Sequence, residues 1–173
     1  MTPGDYDHQL EGNEYGNYFI DNFSRVNTAP QSNLYSASGQ LIMKLEEADL
    51  AQLFAAGYKF PEPFKVKAGD GITDIYGVMY KPYDFDSTKT YPLIEYVYPG
   101  PQTEAVNKSF GRSMDRIDRL AQMGFIVVSV GNRGGHPARS KRYHTYGYGN
   151  LSDYGLKDKK SCSRTTGKQT FFY

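Results

Sequence analysis

The chain has 173 residues, enough for one ordinary domain, and its 39% hydrophobic and 23% charged residues describe a globular rather than a disordered polypeptide. Lys plus Arg number 20 against 19 Asp plus Glu, so the formal net charge of +1 supplies no global field for nucleic acid or an anionic membrane. The longest apolar run, Phe125 to Val128, is far too short to span a bilayer.

Sixteen Tyr, 10 Phe, 18 Gly and 9 Pro suit strands and turns better than helical bundles. Residues 1 to about 45 alternate aromatic and polar positions, as in Tyr18-Phe19-Ile20-Asp21-Asn22-Phe23-Ser24 and Ser32-Asn33-Leu34-Tyr35-Ser36-Ala37. Short antiparallel strands are expected there, with Ser38-Gly39 turning into Leu41-Ile42-Met43-Lys44-Leu45. Glu46 to Ala56 carries a brief helical stripe that stops at Gly57. Pro61 and Pro63, one residue apart, forbid helix and favour an extended linker over residues 57 to 64, where a domain boundary is expected.

Phe64 to Tyr80 is expected to form a hairpin around Gly69-Asp70-Gly71. Tyr91 to Tyr98 reads as a strand closed by Pro99-Gly100-Pro101, and Met114, Ile117, Leu120 and Ala121 place a helix over residues 113 to 123, ending at Gly124. Phe125-Ile126-Val127-Val128-Ser129-Val130 has the continuous apolarity of a strand buried on both faces, so strand, helix and strand imply a right-handed crossover. A long loop follows from Gly131 to Gly149, and residues 150 to 160 read as a helix with Asp153 as its cap. Ser161 to Tyr173 has neither helical stripe nor strand alternation and does not continue what precedes it.

These segments, in this order, resemble the prolyl oligopeptidase family of serine peptidases (peptidase family S9), above all its dipeptidyl-peptidase-IV-like branch, over nearly all of residues 1 to 160. Tyr18 to Arg25 with Pro30 resembles the last blade of the family's β-propeller. Lys67 to Pro82 resembles the opening hairpin of its hydrolase domain, and Tyr91-Pro92-Leu93-Ile94 with Val97-Tyr98-Pro99-Gly100-Pro101 the next strand and turn. Gly124 to Val128 with Asn132-Arg133-Gly134-Gly135 is similar to the succeeding strand and Arg-Gly loop, and Gly155 to Asp158 to the start of the helix before the nucleophile strand. The resemblance implies a mixed fold: the end of a β-propeller with a connector (1–56), a linker (57–64), the N-terminal part of an α/β-hydrolase domain (65–160) and a non-family tail (161–173).

Acyl transfer by a serine needs an activated hydroxyl, a histidine oriented by a carboxylate, and donors for the oxyanion. The chain has no Gly-x-Ser-x-Gly, so the strand-to-helix elbow that exposes such a nucleophile is not in it. The resemblance points to Tyr98, in the position of the tyrosine whose hydroxyl donates to the oxyanion in this branch; a phenol is a neutral donor at pH 7. Without the resemblance, Tyr98 reads as a strand-end tyrosine packed at a rim. Arg133 is expected to fix its turn by carbonyl contacts or an ion pair, Asp153 and Asp158 to be helix-start charges, and His8, His136 and His144 to be loop residues. Tyr143, Tyr146, Tyr148 and Tyr154 read as packing residues that seal an interface between domains.

The resemblance implies an intact parent that hydrolyses peptide substrates, releasing short peptides after Pro or Ala, with no cofactor, no nucleic-acid partner and oligomeric state open. The chain itself is expected to be inactive and, with open sheet edges, poorly soluble. Two other readings stay open: an acyl-peptide hydrolase or esterase of the same fold, and a noncatalytic tyrosine-rich β-module that binds glycan or protein. Met1-Thr2-Pro3-Gly4-Asp5 carries no secretory signal, so an exported or periplasmic parent would take its address from elsewhere. One codon choice for Lys160 to Phe172, shifted by one base, encodes K-A-A-R-E-Q-L-A-N-K-H-S-F, a family-like amphipathic helix, so the tail is expected to reflect a frameshift. The coding DNA beyond Lys160 should then specify Gly-x-Ser-x-Gly in the shifted frame, and unrelated sequence in all frames would exclude the idea.

Overall fold

The computed structural model describes residues 2–98, 103–104, 106–111 and 116–166. They form two compact units, residues 2–60 with 107–111, and residues 61–98, 103–104, 106 and 116–166.

The first unit is an antiparallel meander of β1 (Asp7–Gly12), β2 (Tyr18–Arg25), β3 (Thr28–Ser36) and β4 (Leu41–Glu47), hydrogen-bonded in that order. Its turns are locally encoded. Asn13 Oδ1 accepts from the Asn17 and Tyr18 amides at 2.9 and 3.1 Å, and Gly39, at φ +84°, closes the hairpin expected at Ser38-Gly39. Strand β1, with Leu10 as its one large aliphatic residue, falls within the expected strand region and is fixed by its ladder with β2. Phe19 and Tyr35 stack at 5.3 Å on one face, while Asp21, Asn33 and Tyr35 are buried.

All of β4 is exposed, including Leu41, Ile42, Met43 and Leu45. Its register against β3 shifts twice, skipping Leu45 between the Ser32–Glu46 and Asn33–Lys44 pairs and Ile42 between Leu34–Met43 and Tyr35–Leu41. Two bulges result. The helix expected from Glu46 shrinks to α1 (Ala51–Ala55), because Glu46 and Glu47 pair with Ser32 and Gln31 and the ladder prevails over helix propensity. Asp49 Oδ1 accepts from the Ala51 amide at 2.8 Å to start that turn, and Gly57, at φ +89°, ends it.

The second unit holds β5 (Glu62–Lys67), β6 (Asp74–Tyr80), β7 (Leu93–Tyr96), α2 (Arg116–Gln122), β8 (Ile126–Val130), α3 (Lys141–His144) and α4 (Leu156–Thr166). The sheet order is β5-β6-β8-β7, with β8 antiparallel to β6 and parallel to β7. All five residues of β8 are buried, as the continuous apolar run requires. Ile126, Val128 and Val130 alternate onto the face that also carries Ile75 and Met79, and Val66, Ala68, Tyr91 and Cys162 complete the core there.

Two boundaries differ from the sequence expectation. The linker expected through residue 64 is already strand from Glu62, since Glu62, Pro63 and Phe64 pair with Met79, Val78 and Gly77. Proline is tolerated because β5 is an edge strand of this sheet. The helix expected over residues 150 to 160 begins only at Leu156 and runs through Lys160 to Thr166. Cys162, fully buried against Val66, Ala68, Ile75 and Val130, anchors that extension. Thr165 donates to the carbonyl four residues back at 2.9 Å, Ser161 to the Lys67 carbonyl at 2.9 Å, and Ser163 to Glu95 Oε2 at 2.7 Å. One apolar anchor and three hydroxyl bonds thus hold a segment with no amphipathic stripe. The expected turn Pro99-Gly100-Pro101, Met114 of the expected helix and residues 167–173 of the tail lie outside the described residues.

The Cys162 thiol should react with a disulfide reagent roughly a hundredfold more slowly in the native chain than in denaturant, since access requires local opening. Rapid native labelling would put the end of α4 in solvent. Ile126→Ala should cost about 2–5 kcal/mol in urea unfolding, the range for a large-to-small change at a fully buried site.

Candidate functional site

Strands β7 and β8 are parallel, so both release their chains at the same edge of the sheet, the place where open α/β sheets present their chemistry. Tyr98 lies two residues beyond β7, half exposed, and its hydroxyl makes no hydrogen bond to a described residue. Loop 131–135 leaves β8 at that edge and is buried throughout.

Arg133 organises this loop. Its backbone N–H and Nε donate to Asp158 Oδ2, each at 3.0 Å, Nη2 donates to Asp158 Oδ1 at 2.7 Å, and Nη1 donates to Asp70 Oδ2 at 2.8 Å. Asp158 Oδ1 also accepts from the Gly69 amide at 2.9 Å, and the Tyr146 ring lies 4.1 Å from the guanidinium carbon. The ion pair expected for Arg133 is therefore present, but the sequence reading of Asp158 as a helix-start charge is incomplete. Asp158 is buried, and its four accepted hydrogen bonds tie α4 to loop 131–135 and to the Gly69-Asp70-Gly71 turn. Asp158 holds the Arg133 guanidinium above its already high ordinary value. The Thr73 hydroxyl, then the Ile72 and Thr73 amides, with Arg133 adding a smaller pull, hold Asp70 well below the usual carboxylate range.

The tyrosines divide. Tyr143 is buried and donates to the Glu104 carboxylate, and burial followed by Glu104 raises its phenol. Tyr154 packs on Gly134, whose φ of +93° and place 2.3 Å from Tyr154 Cε2, measured from an added Cβ, leave room for no side chain. Tyr148 is exposed. Tyr143, Tyr146 and Tyr154 thus pack within the second unit, around the 131–147 segment.

The histidines are not all loop residues. His8 belongs to β1, its Nδ1 2.9 and 3.0 Å from the Asp21 carboxylate oxygens, while its buried Nε2 has no partner. His144 closes α3 and donates from Nδ1 to the Gly135 carbonyl at 2.7 Å; His136 Nδ1 accepts from the Ala138 amide at 3.1 Å. Local polarity concealed the cross-strand and cross-loop partners that place them. Asp153 is exposed and caps no backbone amide with its side chain; its carbonyl accepts from Leu156. Among the described residues no group of three or more His, Cys, Asp and Glu could hold a metal ion.

A cleft of about 310 Å³ in the same unit is bounded by Glu95, Val97, Asn132, Tyr154, Lys159 and Ser163. Lys159 is buried and donates from Nζ to the Val130 carbonyl, with Glu95 Oε1 3.9 Å away. Burial lowers the Lys159 ammonium, and Glu95 opposes that shift. Ser163 donates to Glu95 Oε2 at 2.7 Å. Sequence reasoning missed this pair; the signal was one carboxylate inside the apolar segment Leu93-Ile94-Glu95-Tyr96.

Asp158→Asn should destabilise the chain by about 3–5 kcal/mol in urea unfolding, because it leaves the buried Arg133 charge with only the partly exposed Asp70 as counter-ion. Arg133→Met combined with Asp158→Asn should recover part of that loss. Asp70 has a folded-state value below the ordinary 3.8, so its contribution is complete above 3.8 and lost as pH falls. Asp70→Asn should accordingly flatten the decline in stability below that pH.

No family model matches the chain. Dipeptidyl peptidase 8 of Mus musculus and of Homo sapiens are each 32% identical over 142 residues, covering 78% of this chain and 16% of their own length. An Aspergillus clavatus protein named as a dipeptidyl-aminopeptidase B is 30% identical over 131 residues, 74% of this chain and 14% of that one. A Bacteroides ovatus crystal structure named for dipeptidyl aminopeptidase IV superposes with a TM-score of 0.83 at 25% identity, over 98% of this chain and 24% of that one. The chain therefore spans a small part of each relative. With its ordered motifs and two-sheet architecture, it belongs to the dipeptidyl-peptidase-IV-like branch of the prolyl oligopeptidase family of serine peptidases.

Proposed function

We propose that the whole protein hydrolyses peptide bonds through a serine acyl-enzyme, releasing dipeptides or other short peptides after Pro or Ala. The observation that carries this reading is the arrangement β5-β6-β8-β7 with Tyr98 directly beyond the carboxyl end of the parallel strand β7. In this reading the first unit is the last blade of a β-propeller, and the second is the N-terminal part of an α/β-hydrolase domain. Four antiparallel strands in sequential order support the blade. The parallel β7–α2–β8 connection and the buried β8 support the hydrolase sheet.

Tyr98 is assigned to the oxyanion hole of that enzyme. Its hydroxyl, free of described partners, is a neutral donor available to the oxygen that gains charge in the tetrahedral intermediate. The nucleophile, base and acid come from outside these 173 residues, since no Gly-x-Ser-x-Gly is among them. A strand following α4 would pair with the free edge of β7 and bring the nucleophile beside Tyr98. Peptide hydrolysis by this route needs no metal or cofactor.

In an enzyme that carries this segment with its nucleophile, Tyr98→Phe should lower kcat on Pro-linked chromogenic dipeptides by about 10²–10³ with little change in KM, as for loss of one oxyanion donor. An unchanged kcat would remove Tyr98 from the site. The 173-residue chain by itself should neither react with a fluorophosphonate probe nor turn over those substrates, and stoichiometric serine labelling would overturn the assignment of the nucleophile to another segment.

A further inference from the structure

Along α4, sharing Lys160 with the cleft already described, lies a second depression of about 250 Å³ bounded by Gly69, Lys157, Lys160, Ser161, Arg164 and Thr165. Its charge is one-sided. Lys157, Lys160 and Arg164 follow each other at helical spacings of three and four residues, and none forms an ion pair with a described residue. Among the described residues no carboxylate borders the depression. The nearby acids are engaged elsewhere: Asp158 by Arg133 and the Gly69 amide, Asp70 by Arg133 and Thr73, and Asp74 by Lys65 and Lys67.

Like charges at these spacings destabilise a helix by about 0.2–0.5 kcal/mol per pair. Several other lysines of this unit are matched, as with Lys81 on Glu62 and Lys89 near Asp86, while Lys141 has no ion pair with a described residue, so the trio is set apart by its clustering on one helix face. The hydroxyls beside it are already oriented: Ser161 donates to the Lys67 carbonyl and Thr165 to the Ser161 carbonyl. The free donors facing the depression are then ammonium and guanidinium groups, which suit a tetrahedral oxyanion. The volume exceeds several times the roughly 30 Å³ share of one water, enough for such an ion with part of its hydration.

We infer that this face of α4 is a binding site for a free, multiply charged oxyanion of the phosphate or sulfate class, held by Lys157, Lys160 and Arg164. Arg164 gives the planar, bidentate contact and the two lysines act as point charges. The site draws on no group assigned to peptide hydrolysis and stands independently of that proposal. Ser161, Arg164 and Thr165 belong to the segment whose sequence departs from the family pattern, so the site is a property of this chain.

The test is a titration of the full 173-residue chain with inorganic phosphate, and separately with sulfate, followed by amide chemical shifts at ionic strength fixed with sodium chloride. Saturable shifts at Gly69 and residues 157–165 are expected with phosphate, sulfate or both. The Lys160→Gln, Arg164→Gln double variant should bind roughly tenfold more weakly. Arg164→Lys, which keeps the charge and loses the bidentate fork, should bind roughly threefold more weakly, and Lys89→Gln, between β6 and β7, should change nothing. All three substituted side chains are exposed, and unchanged circular dichroism verifies folding. Absence of saturable shifts with either anion, shifts confined to other residues, or binding that survives the double substitution would overturn the inference; should the double variant unfold, the shift map and Arg164→Lys decide.

Discussion

The buried Arg133–Asp158 pair is the constraint on which the second unit depends. Two charges removed from water cost several kcal/mol each, and only near-complete hydrogen bonding recovers that cost. Asp158 receives it from two backbone amides and two guanidinium nitrogens, and Arg133 turns its third guanidinium nitrogen, Nη1, to Asp70. Because those amides belong to Gly69 and to Arg133 itself, the pair fixes three chain segments at once: the β5–β6 turn, the loop after β8, and the first turn of α4. Hydrophobic burial holds the sheet together, while this pair sets where the loops leave it.

The two units satisfy the same backbone requirements with different interiors. The second builds on Ile75, Ile126, Val128 and Val130, which are fully buried. The first buries Asp21 and Asn33 beside Tyr35 and Val26, so polar contacts replace much of the apolar mass, and the His8–Asp21 pair ties β1 to β2 across that face. A meander gains little from such an interior on its own and relies on its ladders. In the proposed reading chemistry falls to the unit with the dry sheet, where parallel strands end together and Tyr98 is half exposed.

What the sequence revealed followed the range of the interaction concerned. The Gly39 hairpin, the Gly69-Asp70-Gly71 turn and the apolar strand β8 are written in contiguous residues, and each stands where the pattern places it. Glu46 and Glu47 suit a helix, yet Gln31 and Ser32 capture them from another strand. Ser161 to Thr166 lacks any stripe, yet Cys162 packs among Val66, Ala68, Ile75 and Val130, residues far from it in the chain. Asp158 looked sufficient as a helix-start charge because its partner lies 25 residues away and no periodicity joins them. Tyr98 is a different case: the family resemblance singles it out, and the geometry supplies only its place at the strand end.

Strand β4 has a bearing on how the chain behaves in company. Its apolar side chains face solvent, and an outer strand of that kind ordinarily templates pairing with another molecule. Here the skipped residues Ile42 and Leu45 interrupt the spacing of the ladder on β4, and Lys44, Glu46 and Glu47 lie beside them. An incoming strand would meet donors and acceptors out of step, so regular fibril growth is discouraged by backbone geometry even where the side chains invite it. The association favoured by these exposed residues is therefore irregular, side chain on side chain, rather than an ordered cross-β assembly.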